Sequence, residues 1–250
     1  MRDEEFTLLG RNPVTEAFRA GKTIDRLFVQ DGLHDGPIST ILREAKKAGV
    51  KPEFVKKSRL DEIAGNENAA SHQGVIAYLA AYHYSEVDEI LEVAKEKGED
   101  PFIFILDGIE DPHNLGAIIR TANLAGAHGV IIRERRAVGL TSTVAKTSAG
   151  ALAYTKVAKV TNITKTIDEL KDKGLWFVCA DMGGESMYKL NLKGPIGLVI
   201  GNEGEGVSRL VHDRCDMIAS IPMHGSIDSL NASVACGVLA YEIVRQRLNG

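Results

Sequence analysis

Two α/β units in series, the second larger and built on a mostly parallel sheet, are what this sequence implies. Three observations lead there. Between residues 101 and 221, short apolar runs alternate with helical segments, the pattern of parallel strands joined by covering helices. Runs such as Phe102-Ile-Phe-Ile-Leu106 and Ile196-Gly-Leu-Val-Ile200 are apolar almost throughout, as expected of strands buried on both faces. Finally, residues 85–100 hold seven acids and two bases. They set this region apart from a shorter α/β region at residues 5–82. The units are therefore drawn at 1–84 and 101–250, with 85–100 as an acidic linker.

In the first unit, Asn12-Pro13 followed by Val14, Ala17 and Phe18 marks a helix with proline in its first turn. Residues 26–30 are strand-like. Residues 38–48 carry apolar side chains at helical spacing and stop at Gly49. Residues 52–55 form a short strand, and 74–80 a clear apolar one after a polar loop. A helix over 87–94 occupies the linker. Beyond Pro101, strands are expected at 102–106, 129–132, 154–160, 175–180, 196–200 and 217–221. Helices are expected at 115–125, 142–151, 163–173, 207–211 and 229–248. The last helix sets Leu230, Val234, Val238, Tyr241 and Val244 in one stripe. That stripe belongs in the core or, alternatively, at a subunit interface.

The composition, 44% hydrophobic and 26% charged, is that of a globular chain. No apolar run approaches the roughly 18 residues that cross a bilayer. The acidic Met1-Arg-Asp-Glu-Glu-Phe6 is no secretory signal, so a cytoplasmic location is expected. Cys179, Cys215 and Cys236 form no Cys-x-x-Cys pair, which suggests neither a zinc ribbon nor a disulfide framework. A net charge of −4 argues against nucleic-acid binding until its distribution is considered. Residues 1–84 hold 12 bases and 12 acids, and residues 101–250 hold 16 and 15, so the deficit lies in the linker. Two basic clusters remain. Lys46, Lys47, Lys51, Lys56, Lys57 and Arg59 meet only Glu53 between them, and Arg133, Arg135 and Arg136 form a second group. For the first cluster, charge alone divides evenly between an RNA surface and a solvated helix face.

Three stretches carry the chemistry. Leu198-Val-Ile-Gly-Asn-Glu-Gly-Glu-Gly-Val-Ser208 is an apolar strand entering a Gly-rich loop and then a helix. Its glycine spacing is G-x-x-G-x-G rather than the dinucleotide G-x-G-x-x-G, and Glu203 and Glu205 would oppose a pyrophosphate. A neutral or cationic ligand suits this loop. Asp107-Gly-Ile-Glu-Asp-Pro-His-Asn114 leads into a helix containing Arg120 among Leu115, Ile118, Ile119, Ala122 and Leu124. Asn114 is placed as a helix cap would be. Arg120, expected to be buried, needs a partner, with Glu203 and a bound phosphate as candidates. Ile221-Pro-Met223 and Ser229-Leu-Asn-Ala-Ser-Val-Ala235 open the closing helix. All three loops fall at strand carboxyl ends, where open parallel sheets bind ligands. His72 and His113 have no second ligand at helical or hairpin spacing, so no metal site is indicated.

In order and separation these motifs resemble those of the SpoU (TrmH-type) family of RNA 2′-O-ribose methyltransferases, in the SPOUT superfamily. The likeness spans Asn114 to Ala122, Leu198 to Gly206, and Ile221 to Ala235. Residues 5–80, with Leu9-Gly-Arg-Asn-Pro13 and His72-Gln-Gly-Val75, resemble the substrate-binding domain of the bacterial branch that methylates a guanosine ribose in 23S ribosomal RNA. That domain has a ribosomal-protein, L30e-like fold. The resemblance implies a deep C-terminal trefoil knot, which the near absence of threaded chains would otherwise exclude. It also implies a homodimer through the C-terminal domain, large-subunit ribosomal RNA as partner, and S-adenosylmethionine as cofactor. Gly201, Ile221, Met223 and Leu230 would hold the cofactor, largely through main chain. Asn114, Arg120, Glu203, Ser229 and Asn231 would carry the reaction. A guanidinium is always charged, so Arg120 is read as stabilising the alkoxide or pinning a phosphate rather than as the base. Glu203 orients Arg120 or takes the proton, and Asn114, Ser229 and Asn231 position the ribose and the loops. The rival readings are a transfer-RNA ribose methyltransferase, a non-catalytic RNA-binding protein that keeps the fold, and a dinucleotide enzyme.

Overall fold

A computed structural model describes residues 7–65, 68–80, 82–226 and 229–249. The chain packs as two units: Met1–His83 with Leu140–Ser142, and Tyr84–Gly139 with Thr143–Gly250.

The first unit runs β1 (Thr7–Leu9), α1 (Arg11–Arg19), β2 (Ile24–Gln30), α2 (Gly36–Lys47), β3 (Pro52–Val55), α3 (Lys57–Ala64) and β4 (Val75–Leu79). Its sheet has the order β1-β4-β2-β3. The β1–β4 and β4–β2 pairs are antiparallel and β2–β3 is parallel. Strand β2 alternates across the sheet: Leu27 and Val29 join one core with Val14, Ile38 and Ile41, while Phe28 joins Leu60 and Ile76 in another. Neither β1 nor α3 follows from the sequence pattern. The first has three residues, and α3 buries only Leu60 and Ala64, too few to show a stripe. The first basic cluster is not one patch. Lys46, Lys47 and Lys51 lie at one end of β3, while Lys56, Lys57 and Arg59 lie at the other.

The second unit runs α4 (Val87–Lys97), β5 (Phe102–Asp107), α5 (Pro112–Leu124), β6 (Gly129–Arg133), α6 (Ser142–Thr147), β7 (Lys156–Val160), α7 (Ile163–Asp172), β8 (Trp176–Ser186), β9 (Ile196–Gly201), α8 (Arg209–His212), β10 (Met217–Ser220) and α9 (Ala232–Leu248). Its six strands lie in the order β10-β8-β9-β5-β6-β7, and every pair is parallel. Central strands β5 and β9 are buried at every position. Helix α5 packs on β6 and on α9, which also covers β8 and β9, whereas α4 and α7 contact β7 and β8.

Three departures from the sequence pattern have local causes. The expected linker is built into this unit: Ser85 bridges to Ala158, and Ile90 of α4 is fully buried over Gly129, where a Cβ would come within 2.7 Å of it. Helix α6 stops at Thr147 because Ala149 (φ 50°) and Gly150 (φ 88°) turn left-handed. In α9 the stripe is not the core face, the first of its two readings. The buried residues of the helix are Ala232, Cys236, Leu239, Ala240, Glu242, Ile243 and Gln246, while Val234 and Tyr241 are half exposed.

The end of α9 fastens the segment before β9. Gln246 Oε1 accepts from Leu192 N (2.8 Å), and its Nε2 donates to the Leu190 carbonyl (3.1 Å). Arg247 donates to the carbonyls of Asp100, Pro101 and Gly194. Among the described residues no helix is long and apolar enough to cross a membrane.

His128 closes the amino end of β5. Its Nδ1 accepts from Phe102 N (2.9 Å), and Nε2 faces Glu99 Oε2 at 3.0 Å, which fixes the tautomer. Burial lowers its pKa from the ordinary 6.5, against the opposing pull of Glu99. A base with a lowered folded pKa binds more protons unfolded, so stability is complete above 6.5 and falls on acidification through the folded value. Thermal unfolding followed from about pH 7.5 to about pH 5 is expected to show this loss in the wild type. His128→Gln, which cannot titrate there, should show a shallower one.

Candidate active site

The strand order reverses direction between β5 and β9. Chain order runs from β5 outward through β6 and β7, then jumps back to place β9 on the other side of β5. A crevice opens at the carboxyl ends of strands at such a point. The loops after β5 and β9, and the segment joining β10 to α9, all leave from that end.

Each loop is shaped by residues whose small size or short side chain the geometry requires. After β5, Asp111 caps α5 by accepting from His113 N (2.8 Å), with Pro112 in the first turn. This places Asn114 one turn in, where it is 6% exposed. Gly116 lets α5 approach α6, since a Cβ there would lie 2.6 Å from Thr147 Cβ and 3.0 Å from the Val144 carbonyl. After β9, Asn202 and Gly206 exchange backbone hydrogen bonds (3.0 and 2.9 Å). The Asn202 side chain accepts from Gly204 N (2.7 Å) and donates to the Gly108 carbonyl (3.0 Å). The loop thus folds back on Gly201, where a Cβ would lie 2.1 Å from Gly206 C and 2.2 Å from Val207 N. Before α9, Asn231 caps the helix by accepting from Ser233 N (2.9 Å) and Val234 N (3.3 Å).

These loops meet in one polar triangle. Asn114 Nδ2 donates to Glu203 Oε1 (2.6 Å), Asn231 Nδ2 donates to Asn114 Oδ1 (3.0 Å), and Asn231 Nδ2 also donates to Glu203 Oε1. One carboxylate oxygen is held by two amides from two helices. No hydrogen bond to Oε2 is present among the described residues. A buried anchor lies beneath. Asp107, at the end of β5, is 3% exposed and accepts from Ser208 N (2.9 Å) and Arg133 Nη1 (3.3 Å). Asp107 and Asn202 were not singled out by sequence reasoning. The signal was available: each is a polar residue at the end of a buried apolar strand.

Of the expected reaction residues, the structure brings Asn114, Glu203 and Asn231 together. Arg120 is not among them. It is exposed rather than buried and has no ion pair or hydrogen bond among the described residues, Glu203 included. Six residues at 100° per residue carry it to a different face of α5 from Asn114. Ser229 is exposed and likewise without a hydrogen-bond partner among the described residues. Gly201 is buried at the end of β9, and Ile221 is half buried just past β10. Met223 and Leu230 are 37% and 38% exposed in the segment leading to α9.

This donor set fits S-adenosylmethionine. Backbone groups are offered at three strand ends, Met223 and Leu230 leave exposed apolar surface, and Glu203 supplies negative charge to suit a sulfonium.

Residues 101–241 match the SpoU rRNA Methylase family, and residues 7–85 match a domain described as RNA 2′-O ribose methyltransferase substrate binding. A putative TrmH family tRNA/rRNA methyltransferase of Bacillus subtilis is 43% identical over 249 residues, covering 99% of this chain and 98% of that one. One from Staphylococcus aureus is 46% identical over 246 residues, covering 98% and 97%. Among solved structures, the SpoU methyltransferase AviRb from Streptomyces viridochromogenes, in complex with AdoMet, superposes with a TM-score of 0.62 at 25% identity, covering 98% of this chain and 91% of that one. The A. aeolicus TrmH/SpoU tRNA modifying enzyme gives 0.55 at 29% identity, covering 60% and 77%.

The crowding at Gly201 makes a prediction. Gly201→Ala pushes a Cβ into backbone that cannot yield, and is expected to cost roughly 1–3 kcal/mol or more in urea unfolding. Gly204→Ala, whose Cβ meets nothing nearer than 3.6 Å, should unfold close to wild type.

Proposed function

This chain belongs to the SpoU rRNA methylase family and is an S-adenosylmethionine-dependent RNA methyltransferase, and on that premise we propose that it methylates the ribose 2′-hydroxyl of a guanosine in 23S ribosomal RNA, in the cytoplasm. The observation that carries the reading is the Asn114–Glu203–Asn231 triangle at the crevice between β5 and β9. The choice of ribosomal over transfer RNA is favoured by the first unit. The match to the tRNA modifying enzyme spans 60% of this chain, a share the methylase segment alone accounts for, whereas residues 7–85 here match a separate RNA 2′-O ribose methyltransferase substrate-binding domain. The four-stranded first unit is read as the L30e-like RNA platform.

Bound S-adenosylmethionine supplies a methyl group on a positively charged sulfur. Gly201, Ile221, Met223 and Leu230 would hold it. Transfer of that methyl to the ribose oxygen would be an in-line displacement, so it would depend on the alignment these loops impose. Glu203 takes the hydroxyl proton on Oε2. Its other oxygen is fixed by Asn114 and Asn231, so the carboxylate is aimed without rearrangement. Ser229 and Asn231 position the ribose and the loop that covers it. Arg120 steadies a phosphate or the developing alkoxide from the outer face of α5, not through Glu203.

That outer face supports a homodimer. Leu124 of α5 is 65% exposed, and Tyr241 and Leu248 of α9 are 50% and 80% exposed, an apolar surface on two packed helices. A second copy covering it would bring Arg120 into the assembled site. The trefoil knot of the superfamily belongs to the same reading. The insertion of β9 between β8 and β5, and the grip of α9 on residues 190–194, support it.

Labelled S-adenosylmethionine incubated with unmodified 23S ribosomal RNA and with a transfer-RNA pool tests the reading. Label is expected in ribosomal RNA as a 2′-O-methylguanosine. Label only in transfer RNA would overturn the substrate, and label in neither would overturn the reaction. Glu203→Gln keeps the oxygen that accepts from the two asparagines and is expected to lower kcat by about 10²–10⁴-fold. Arg120→Ala should abolish turnover. Cofactor binding by calorimetry should survive in both, and its loss would reassign the residue to cofactor capture.

A further inference from the structure

The loop after β6 borders this site and carries two guanidinium groups, of Arg135 and Arg136, that pair with no carboxylate among the described residues. Arg133 ends the strand with its guanidinium on buried Asp107 (3.3 Å). The next residues are tied to the β5 loop. Val138 N donates to the Ile109 carbonyl (2.9 Å), and the Arg136 carbonyl lies 3.7 Å from where a Cβ on Gly108 would stand. Gly108 accepts from Asn202, the neighbour of Glu203. Arg135 and Arg136 therefore sit one loop away from the proposed base, on a fixed backbone.

Both are exposed and without a hydrogen bond or ion pair among the described residues. That sets them apart. Arg133, Arg209, Arg214 and Arg245 each pair with a carboxylate, and Arg247 donates to three carbonyls. Only Arg120 shares their state among the described arginines of this unit. The acids in the neighbouring loops, Glu110, Glu203 and Glu205, form no ion pair with either. Arg136 is also held at φ 54°, a left-handed conformation that glycine would adopt without strain. The backbone therefore carries strain at this arginine.

We propose that Arg135 and Arg136 form a phosphate-binding site that grips the substrate RNA backbone beside the ribose being methylated. A target ribose lies between two phosphates, and a guanidinium fork matches phosphate oxygens in a bidentate way. Arg133, tied to Asp107, anchors the loop instead of reaching out. The site rests on the RNA-methylating reading above and names how that reaction fixes its substrate.

The test is the double variant Arg135→Ala/Arg136→Gly, in which glycine suits the left-handed backbone and protects the fold. Methyl transfer to unmodified 23S ribosomal RNA is measured across a salt series, with S-adenosylmethionine affinity by calorimetry. The variant is expected to raise the RNA KM by roughly ten- to a hundredfold with cofactor affinity unchanged. The log–log salt dependence should flatten by about 1.4, near 0.7 for each lost single-strand phosphate contact. Arg135→Lys/Arg136→Lys should restore the slope but only part of the affinity. An unchanged KM and slope would overturn the site, as would a fall in cofactor affinity matching the fall in turnover. If the wild type methylates no RNA, the reading of the reaction fails. The arginines are then judged by the same salt slope for binding of a labelled mixed-sequence single-stranded RNA. Equal slopes for wild type and variant there would overturn them independently.

Discussion

The second unit turns on the carboxylate of Asp107. It stands at the carboxyl end of the central strand, 3% exposed, and takes Ser208 N on one oxygen and the Arg133 guanidinium on the other. A carboxylate so placed must be hydrogen-bonded, because an unsatisfied buried charge is far more costly than the net value of the bonds it makes. Its two bonds reach opposite sides of β5. One fixes the returning limb of the β9 loop, which carries Glu203. The other fixes the end of β6, from which the arginine loop departs. The carboxylate proposed as the base and the positive loop proposed to grip RNA are thus set relative to each other by one buried group.

Glycine makes the rest of that arrangement possible. The chain doubles back so closely between Gly201 and Gly206 that no side chain fits at Gly201. Asn202 uses both ends of its amide to stiffen the turn and to bind the β5 loop. The Gly-rich run is therefore a device for crossing backbones, not for cradling a pyrophosphate. This explains why its spacing departs from the dinucleotide pattern and why two glutamates are tolerated within it.

Much of this was legible in the sequence. The parallel sheet followed from alternation and from continuous apolar runs at 102–106 and 196–200, because strands buried on both faces have no polar face to show. Asn114, Glu203 and Asn231 stood out as polar residues at the ends of buried elements, and they do meet. The fate of Arg120 was not legible. An arginine among Leu115, Ile118, Ile119 and Ala122 looks buried, but those apolar residues occupy one side of α5 and Arg120 leaves from another. The acidic run at 85–100 misled in a similar way. Its charges are mostly exposed while Ile90 and Ala94, with Val87 and Leu91 partly buried beside them, carry its packing. Composition registers the charges and misses those contacts. Helix α3 and strand β1 were invisible because each buries too little to leave a period.

The exposure of the α9 stripe has a different cause. The helix from Ala232 to Leu248 puts Glu242 and Gln246 on its buried side and Val234 and Tyr241 on its exposed one, so apolar periodicity cannot choose a face. Tertiary contacts settle the matter: Cys236, Leu239, Ala240 and Ile243 turn inward, where α9 lies against α5 and the sheet and Gln246 bonds the Leu190–Leu192 backbone, and Val234 and Tyr241 are left outside. Val234, Tyr241 and Leu248 are left as exposed apolar side chains on the outer side of α9. Arg120 leaves α5 unpaired in the same unit. An apolar face beside an unneutralised guanidinium is incomplete as a monomer surface. A second copy would complete it by covering the aromatic and aliphatic side chains while setting the guanidinium at the edge of a site. The packing economy of one helix and the chemistry of one arginine therefore point to the same assembly, by arguments that share no residue.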